Sequence, residues 1–358
     1  MITLPSIEII FKQLASNFIK RSERGIAILI IRDDTNQTFA SKEYKDLKEL
    51  ATDVALYTTA NYEYIADTLA FAINKVIVIR IDVADDISDA LAIIEGTIKT
   101  GWISTVGIAA DYTAIVNWIK AKETAGETYK TVVYNAATPN CKHVVNFANA
   151  KVTFADARGE VTGDKFLPSL VGILAACNVE RGSTYFMCNN LTKVQEVADN
   201  NVALNAGQFI LINDLDGVKV GLGINSLSTF DETNTDDMRY IDTIETMDLI
   251  TDDIRVVFKT DYIGKYKNNL DNQTLFISAI NTYFKALAND DVLDNEYKNF
   301  ADVDTASQRA AWNIIKPEAA TWDDTKVRNT TYKRNVFLGG DIKILGAMEN
   351  LKFNIAMF

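Results

Sequence analysis

The run Ile26-Ala27-Ile28-Leu29-Ile30-Ile31 is apolar at every position. An uninterrupted run of this length is typical of a strand covered on both faces of a sheet. Runs of similar character follow at residues 76–81, 106–110 and 131–134, and segments of helical length separate them. This alternation predicts an α/β domain with a largely parallel sheet over residues 23–160.

Apolar residues recur at helical spacing between these runs. Leu91, Ile94 and Ile98, for example, advance by three or four residues and form one stripe along a helix. We therefore expect helices near residues 61–74, 86–100 and 111–124.

The second half of the chain does not keep this alternation. Strand patterns near residues 208–213 and 218–224 precede two long helical patterns, from Met238 to Val257 and from Phe276 to Leu287. We expect a second domain, of α+β type, over residues 161–345.

Length and composition narrow the class of protein. The chain has 358 residues, enough for about two domains, and 48% of its residues are hydrophobic, as in ordinary folded proteins. The formal net charge is −12. This charge argues against non-specific binding to nucleic acid or to an anionic membrane. We expect neither nucleic acid nor direct membrane insertion among the interactions of the protein.

Histidine and cysteine are scarce. His143 is the one histidine, which excludes zinc sites built from several imidazoles. Cys141, Cys177 and Cys188 are too few for a disulfide framework and form no Cys-x-x-Cys pair. This usage indicates a reduced cytosol, and we expect no signal peptide and no membrane span.

The features that come closest to catalytic or binding motifs have plainer interpretations. Gly221 and Gly223 lack the third glycine of a dinucleotide fingerprint. Cys141, Lys142 and His143 could supply one half of a thiol–imidazole pair, but neighbouring side chains in a strand or loop rarely point together. The acidic residues at 231–237 lack EF-hand spacing. We assign no catalytic, cofactor-binding or metal-binding residue; the alternative is a cytosolic α/β enzyme, hydrolase-like or dehydrogenase-like, that forms closed oligomers.

A period-two pattern runs through the C-terminal residues and predicts a strand within 346–358. Two pairings of this strand are open. It forms a hairpin with the strand-like stretch at 336–345, because short loops commonly join antiparallel neighbours, or it adds to a sheet of another chain. The apolar residues that occupy every second position are Leu351, Phe353, Ile355 and Met357.

Another apolar segment, residues 1–22, precedes the first predicted strand. It is too short for a core of its own and suits the same pairing with another chain. Its candidate contact residues are Leu4, Ile7, Ile9 and Phe11.

A basic stretch precedes the predicted C-terminal strands. It contains no acidic residue, which is unusual in a chain of this net charge, and it consists of Lys326, Arg328, Lys333 and Arg334 within residues 326–334. A solvated loop is one interpretation. Contact with an acidic surface of a partner is the other.

The sequence resembles contractile phage tail sheath proteins in segments that keep the same order over most of the chain. It is most similar to the short sheaths of Gram-positive myophages and phage-tail-like bacteriocins. The segments that carry the resemblance are residues 4–11, 19–26, 223–227, 237–250, 262–265 and 335–340.

The resemblance implies a structural subunit that needs no cofactor. Such subunits polymerise as six-fold stacked rings around a tail tube and contract to drive the tube through a target cell envelope. The implied partners are the tube, baseplate and tail terminator proteins. Assembly in the host bacterial cytoplasm is implied, and so is a place in a virion tail or a released phage-tail-like particle.

The resemblance also implies a role for each part of the chain. Residues 161–345 correspond to the conserved sheath core, and residues 23–160 face outward. The arms at 1–22 and 346–358 would exchange strands with neighbouring subunits through the apolar residues given above. The basic stretch would face the tube or the next subunit.

Overall fold

A largely parallel sheet organises most of the chain. The computed structural model describes residues 19, 24–177, 179 and 181–357. Within this part, the sheet has seven strands in the order β10-β6-β5-β4-β1-β3-β2. The bounds of its strands and of the associated elements, in chain order, are β1 (Ile26–Arg32), β2 (Ser41–Tyr44), α1 (Leu47–Ala51), α2 (Thr59–Leu69), β3 (Lys75–Ile81), α3 (Ile87–Thr97), β4 (Thr100–Ser104), α4 (Ala109–Thr124), β5 (Thr128–Tyr134), β6 (Val144–Phe147), β7 (Lys151–Phe154), β8 (Glu160–Thr162), α5 (Leu167–Ala176), β9 (Leu191–Val194), α6 (Asn200–Asn205), β10 (Gln208–Phe209), β11 (Leu211–Asp214) and β12 (Gly217–Val220).

Strand pairing follows the prediction of a parallel sheet. Every pairing in this sheet is parallel except that of β2 with β3. Strand β1 lies inside the sheet between β3 and β4, where Ile28 pairs with Ile77 on one side and Ile103 on the other. These side chains are fully buried or nearly so. The apolar runs at residues 26–31, 76–81 and 131–134 are therefore confirmed as strands.

Helix α5 lies against α2 and against the central strands. Its described residues from Leu167 to Ala175 are buried, and Gly172 permits a close approach to α2. A Cβ atom at this glycine would lie 2.5 Å from the carbonyl oxygen of Thr68. Helix packing at this point therefore requires glycine.

One predicted strand is wrong. Residues 106–110 are apolar, but β4 ends at Ser104 and helix α4 begins at Ala109. Gly107 has a φ of +101°, which lies outside the backbone conformation of a strand. The glycine turns the chain from the sheet into the helix.

The second half of the chain is also divided differently from the prediction. Among the described residues, 250–345 form one compact unit, and those of 22–249 and 346–358 form the other. The predicted domain boundary at residue 160 does not separate two compact units. Beyond it, β10 still pairs with β6 in the main sheet, and α5 packs on that sheet.

Five elements form most of the unit of residues 250–345, and α7 (Ile241–Val257) contributes its second half. A short π-helix, Phe258–Tyr262, follows α7. The five elements are α8 (Leu270–Asn289), β13 (Phe300–Val303), α9 (Thr305–Asn313), α10 (Asp324–Asn329) and β14 (Leu338–Asp341). The predicted helices at 238–257 and 276–287 correspond to α7 and α8.

The core of this unit is built on α8. Its apolar face recurs every three or four residues, and its N-cap Asn269 accepts a hydrogen bond from the backbone N–H of Asn272. The helix packs on β13. A smaller cluster of Ala319, Trp322 and Val327 with Trp312 supports α9 and α10. None of the helices in the described ranges has the length and apolar character required to cross a membrane.

Candidate assembly site

An apolar groove of about 560 Å³ lies within the unit of residues 250–345. Helices α7 and α8 and the strand β14 with its flanking residues supply most of its walls. The apolar side chains that line it are Ile250, Ile254, Phe258, Phe276, Ile280, Phe284, Val336, Leu338 and Ile342. We call it the apolar groove.

One face of helix α8 forms a wall of the groove. Phe276, Ile280 and Phe284 follow each other at intervals of four residues and therefore share one face of α8. The ring of Phe258 lies 5.3 Å from that of Phe276, centroid to centroid. Behind them, the Tyr283 hydroxyl donates a hydrogen bond of 2.7 Å to Asp253 Oδ2 and ties α8 to α7.

The strand β14 supplies the other wall. Among the described residues it pairs in register with β13 alone, with Ala301 opposite Gly340 and Val303 opposite Leu338. Gly340 permits this pairing, because a Cβ atom there would lie 2.2 Å from the carbonyl oxygen of Phe300. One edge of β14 is thus used by β13. On its other edge, no strand pairs with β14 among the described residues.

The C-terminal arm, residues 346–358, does not form the hairpin considered above. Residues 351–357 have no strand structure, and the upstream strand β14 pairs with β13. The alternating side chains are exposed to solvent: 91% for Leu351, 75% for Phe353, 72% for Ile355 and 93% for Met357. The intrachain hairpin is therefore wrong for the described residues. The partner residues predicted in the other arm, Leu4, Ile7, Ile9 and Phe11, lie outside the described residues.

The basic stretch does not present four free charges. Arg328, on α10, forms a salt bridge with Asp302 on β13. The Lys326 ammonium lies 4.7 Å from the centre of the Trp322 ring, and that of Lys333 lies 5.3 Å from the Tyr332 ring. The pairing of Arg328 with Asp302 could not be predicted from the residues that neighbour Arg328 in the sequence. The stretch is thus a mixed basic and aromatic surface, with Lys333 and Arg334 exposed.

A buried charge cluster lies in the other unit and was not predicted. The Lys130 ammonium contacts Glu245 Oε1 at 3.2 Å and Asp248 Oδ2 at 3.1 Å. His143 contacts Asp248 Oδ1 through Nε2 at 3.0 Å and Glu123 Oε2 through Nδ1 at 2.7 Å. We call these five residues the charge cluster. Two signals were available: Lys130 interrupts an apolar strand, and Glu245 and Asp248 share one face of α7.

The charge cluster is arranged for ion pairing. Burial by itself lowers the pKa of His143, but Asp248 and Glu123 outweigh it and raise the pKa to about 9. Both ring nitrogens face carboxylates, so the imidazolium donates to both.

Cys141 meets the same carboxylate as His143, contrary to the expectation that the two side chains point apart. Its Sγ lies 3.2 Å from Glu123 Oε2, and burial raises the pKa of the thiol to about 12. The thiol is therefore protonated at neutral pH and is a poor nucleophile.

The remaining sequence features are structural in the described part of the chain. A Cβ atom at Gly223 would lie 2.5 Å from Ser183 Oγ, so this glycine serves close packing. Asp231 Oδ1 accepts hydrogen bonds from the backbone N–H groups of Thr233 and Asn234 and closes a turn. Cys177 is a buried core residue. Among the described residues, no group of three or more His, Cys, Asp or Glu side chains is placed to hold a metal ion.

Comparisons with known proteins bear on the role of the chain. Residues 233–358 match the phage tail sheath C-terminal domain family. The whole chain is 26% identical to the tail sheath protein of Clostridium phage phiCD119, over all of both proteins. The chain therefore resembles contractile tail sheath proteins over its whole length, and its C-terminal part matches their C-terminal domain. It is a structural subunit of a contractile sheath.

Solved sheath structures share the fold of this sheath subunit. A sheath tail protein from Desulfitobacterium hafniense aligns with a TM-score of 0.68 at 16% identity, covering 84% of this chain and 94% of that one. The contracted helical sheath of the anti-feeding prophage aligns with a TM-score of 0.69 at 13% identity, covering 100% of this chain and 99% of that one.

Proposed function

We propose that the sheath subunit polymerises by strand exchange: the C-terminal arm of one subunit adds to β14 of a neighbour and fills its apolar groove. The observation that carries this proposal is the pair of complementary features in one chain. The arm exposes four large apolar side chains, and the groove lies beside a strand that has one neighbour among the described residues.

The dimensions of the two features agree. Residues 351–357, extended at about 3.3 Å per residue, span about 23 Å. Their four large side chains occupy every second position and share one face of an added strand. Burial of each would stabilise the pairing by about 1.5–3 kcal/mol, and main-chain hydrogen bonds to β14 would fix the direction and register.

The N-terminal arm is proposed to exchange in the same way. Leu4, Ile7, Ile9 and Phe11 would supply the second strand, so that each subunit is joined to two neighbours. Resemblance to the family supports this part of the proposal, together with the period-two spacing of Ile7, Ile9 and Phe11.

Linked subunits of this kind would form stacked six-fold rings around a tail tube, with baseplate and terminator proteins at the two ends. We propose that assembly takes place in the host cytoplasm and that the sheath ends in a virion tail or a phage-tail-like particle. One structural relative belongs to the six-fold symmetrised baseplate of the anti-feeding prophage, with a TM-score of 0.70. Lys326, Arg328, Lys333 and Arg334 would contact the tube or a neighbour.

We further propose that the subunit has no catalytic turnover and that contraction consumes no nucleotide. The energy of contraction then resides in the contacts between subunits, which have two stable arrangements. The pair of side chains that most resembles a catalytic arrangement is Cys141 beside His143. Glu123 engages both of them, by a hydrogen bond with Cys141 and an ion pair with His143.

Truncation of the arm tests the proposal. Deleting residues 352–358 should leave a folded monomer with an almost unchanged melting temperature that no longer forms tubes with its tube protein. The matched control is the variant Lys352→Ser/Asn354→Ser, which alters only the intervening positions and should still assemble. Tubes of ordinary length from the truncated chain, or its unfolding, would contradict strand exchange.

A further inference from the structure

The beginning of the C-terminal arm is hydrogen-bonded to the body of its own subunit, although residues 346–357 are exposed to solvent. The backbone N–H of Ala347 donates a hydrogen bond of 3.2 Å to Asp242 Oδ2. The Thr184 hydroxyl donates one of 2.6 Å to Glu349 Oε1. All of these residues lie in the unit that contains the main sheet. We call residues 346–349 the arm root.

Both anchoring side chains are themselves fixed by the fold. Thr184 Oγ1 accepts a hydrogen bond of 2.9 Å from the backbone N–H of Gly223, and Asp242 Oδ1 accepts one of 2.8 Å from the backbone N–H of Thr243 at the start of α7. The carbonyl of Gly223 in turn accepts from the backbone N–H of Ile241. The anchors therefore belong to one hydrogen-bonded junction.

The junction is also closely packed. Gly223 has no space for a side chain, because a Cβ atom would lie 2.5 Å from Ser183 Oγ. Gly182 borders the arm root itself: its Cβ position lies 3.5 Å from the Cβ of Ala347 and 3.6 Å from Asp242 Oδ2. Every described residue of the arm, 346–357, is exposed, so the two hydrogen bonds and the contact at Ala347 are what hold the arm root.

We propose that Thr184 and Asp242 are positioning residues that clamp the arm root, so that the arm pivots beyond Glu349 rather than at residue 345. This inference rests on the strand-exchange function proposed above. The consequence is a shorter reach. Eight residues, 350–357, span at most about 29 Å when fully extended, whereas twelve residues from Gly346 would span about 43 Å. A shorter tether raises the effective concentration of the strand at its acceptor.

The clamp also defines how force passes between subunits. Tension in an exchanged arm would reach the body at Thr184 and at the first turn of α7. Without the clamp, the same tension would act on the chain at residue 345.

An engineered disulfide tests whether the arm root stays in place. The Cβ separation of 3.5 Å between positions 182 and 347 falls within the disulfide range. Gly182 does not have a left-handed backbone conformation, and the native cysteines are buried. We expect Gly182→Cys/Ala347→Cys to oxidise readily in the monomer and to assemble and contract like the reduced form. Failure of the disulfide to form, or a block of assembly or contraction that reduction reverses, would overturn the proposal.

Loss of an anchor provides the complementary test. Glu349→Ala should lower the rate of assembly with the tube protein several-fold without a change in melting temperature, and the oxidised 182–347 disulfide should restore the rate. Glu349→Gln, which keeps an acceptor oxygen, should behave like the natural chain. Met348→Ala, at a fully exposed side chain, is the neutral control.

Unchanged assembly of Glu349→Ala, or no rescue by the disulfide, would overturn the clamp. Failure of strand exchange itself is a different result, because it would appear as normal assembly after deletion of residues 352–358.

Discussion

The Lys130 ammonium lies 3.1 Å from Asp248 Oδ2, and both side chains are more than nine-tenths buried. Lys130 is on β5 and Asp248 is on α7, so this ion pair fastens the helix to the sheet. Trp102 adds to the attachment, because its indole N–H donates a hydrogen bond of 2.8 Å to Glu245 Oε1.

Removing the buried cation should be costly. Lys130→Met leaves Glu245 and Asp248 without their shared partner, and we expect the free energy of unfolding to fall by about 3–5 kcal/mol. Urea titration monitored by tryptophan fluorescence measures this loss. The control is Lys151→Met, which breaks an exposed pair with Glu160 and should cost less than about 1 kcal/mol. Equal losses in the two variants would contradict a special role for the buried pair.

Stability should also depend on pH through His143. Its pKa is raised from 6.5 to about 9, so its contribution is fully present below pH 6.5 and disappears as the pH rises through 9. The shift corresponds to about 2–4 kcal/mol. We expect the melting temperature to fall between pH 7 and pH 10, and to fall less in His143→Gln. A variant with the same alkaline slope as the natural chain would show that other groups cause it.

Packing at Gly340 should be essential for the groove. Gly340→Ala places a methyl group against the Phe300 carbonyl, and we expect it to disturb the pairing of β13 with β14 and to prevent tube formation. Gly96→Ala is the control, because no atom apart from its chain neighbours and its own helix backbone lies within 4 Å of the new methyl group. Electron microscopy of each variant with the tube protein distinguishes them. Normal tubes from Gly340→Ala would contradict the role of β14 as acceptor strand.

The basic stretch should act on docking and not on folding. Changing Lys326, Lys333 and Arg334 to Ser should slow co-assembly with the tube protein, most strongly at low salt, because exposed charges act mainly on encounter rates. Arg328→Ser should instead affect stability slightly, through its lost pair with Asp302. Identical salt dependence in the triple variant and the natural chain would make the stretch an ordinary solvated loop.

Sequence patterns identified the elements that depend on local information. Continuous apolar runs located β1, β3 and β5, and helical periodicity located α7 and α8. The apolar run at 106–110 is not a strand, because apolar character gives no information about the left-handed backbone of Gly107. The domain boundary was missed because β10 has two residues and pairs with a strand some sixty positions earlier.

The assembly site was only partly accessible to sequence reasoning. The exposed face of the C-terminal arm could be predicted, because period-two alternation is a local signal. The groove could not, because α7, α8 and β14 come together from distant parts of the chain. The charge cluster was hidden for the same reason, since Lys130 and Asp248 are 118 residues apart.

Crosslinking between subunits tests strand exchange most directly. Two chains are prepared separately, one with Leu338→Cys in the groove wall and one with Ile355→Cys in the arm, and are mixed with the tube protein and a short bifunctional thiol reagent. We predict a crosslinked pair of one chain of each kind that forms in assembled tubes and not in unassembled monomers. Tubes that assemble without this crosslink, or a chain carrying both cysteines that crosslinks to itself as a monomer, would contradict the account.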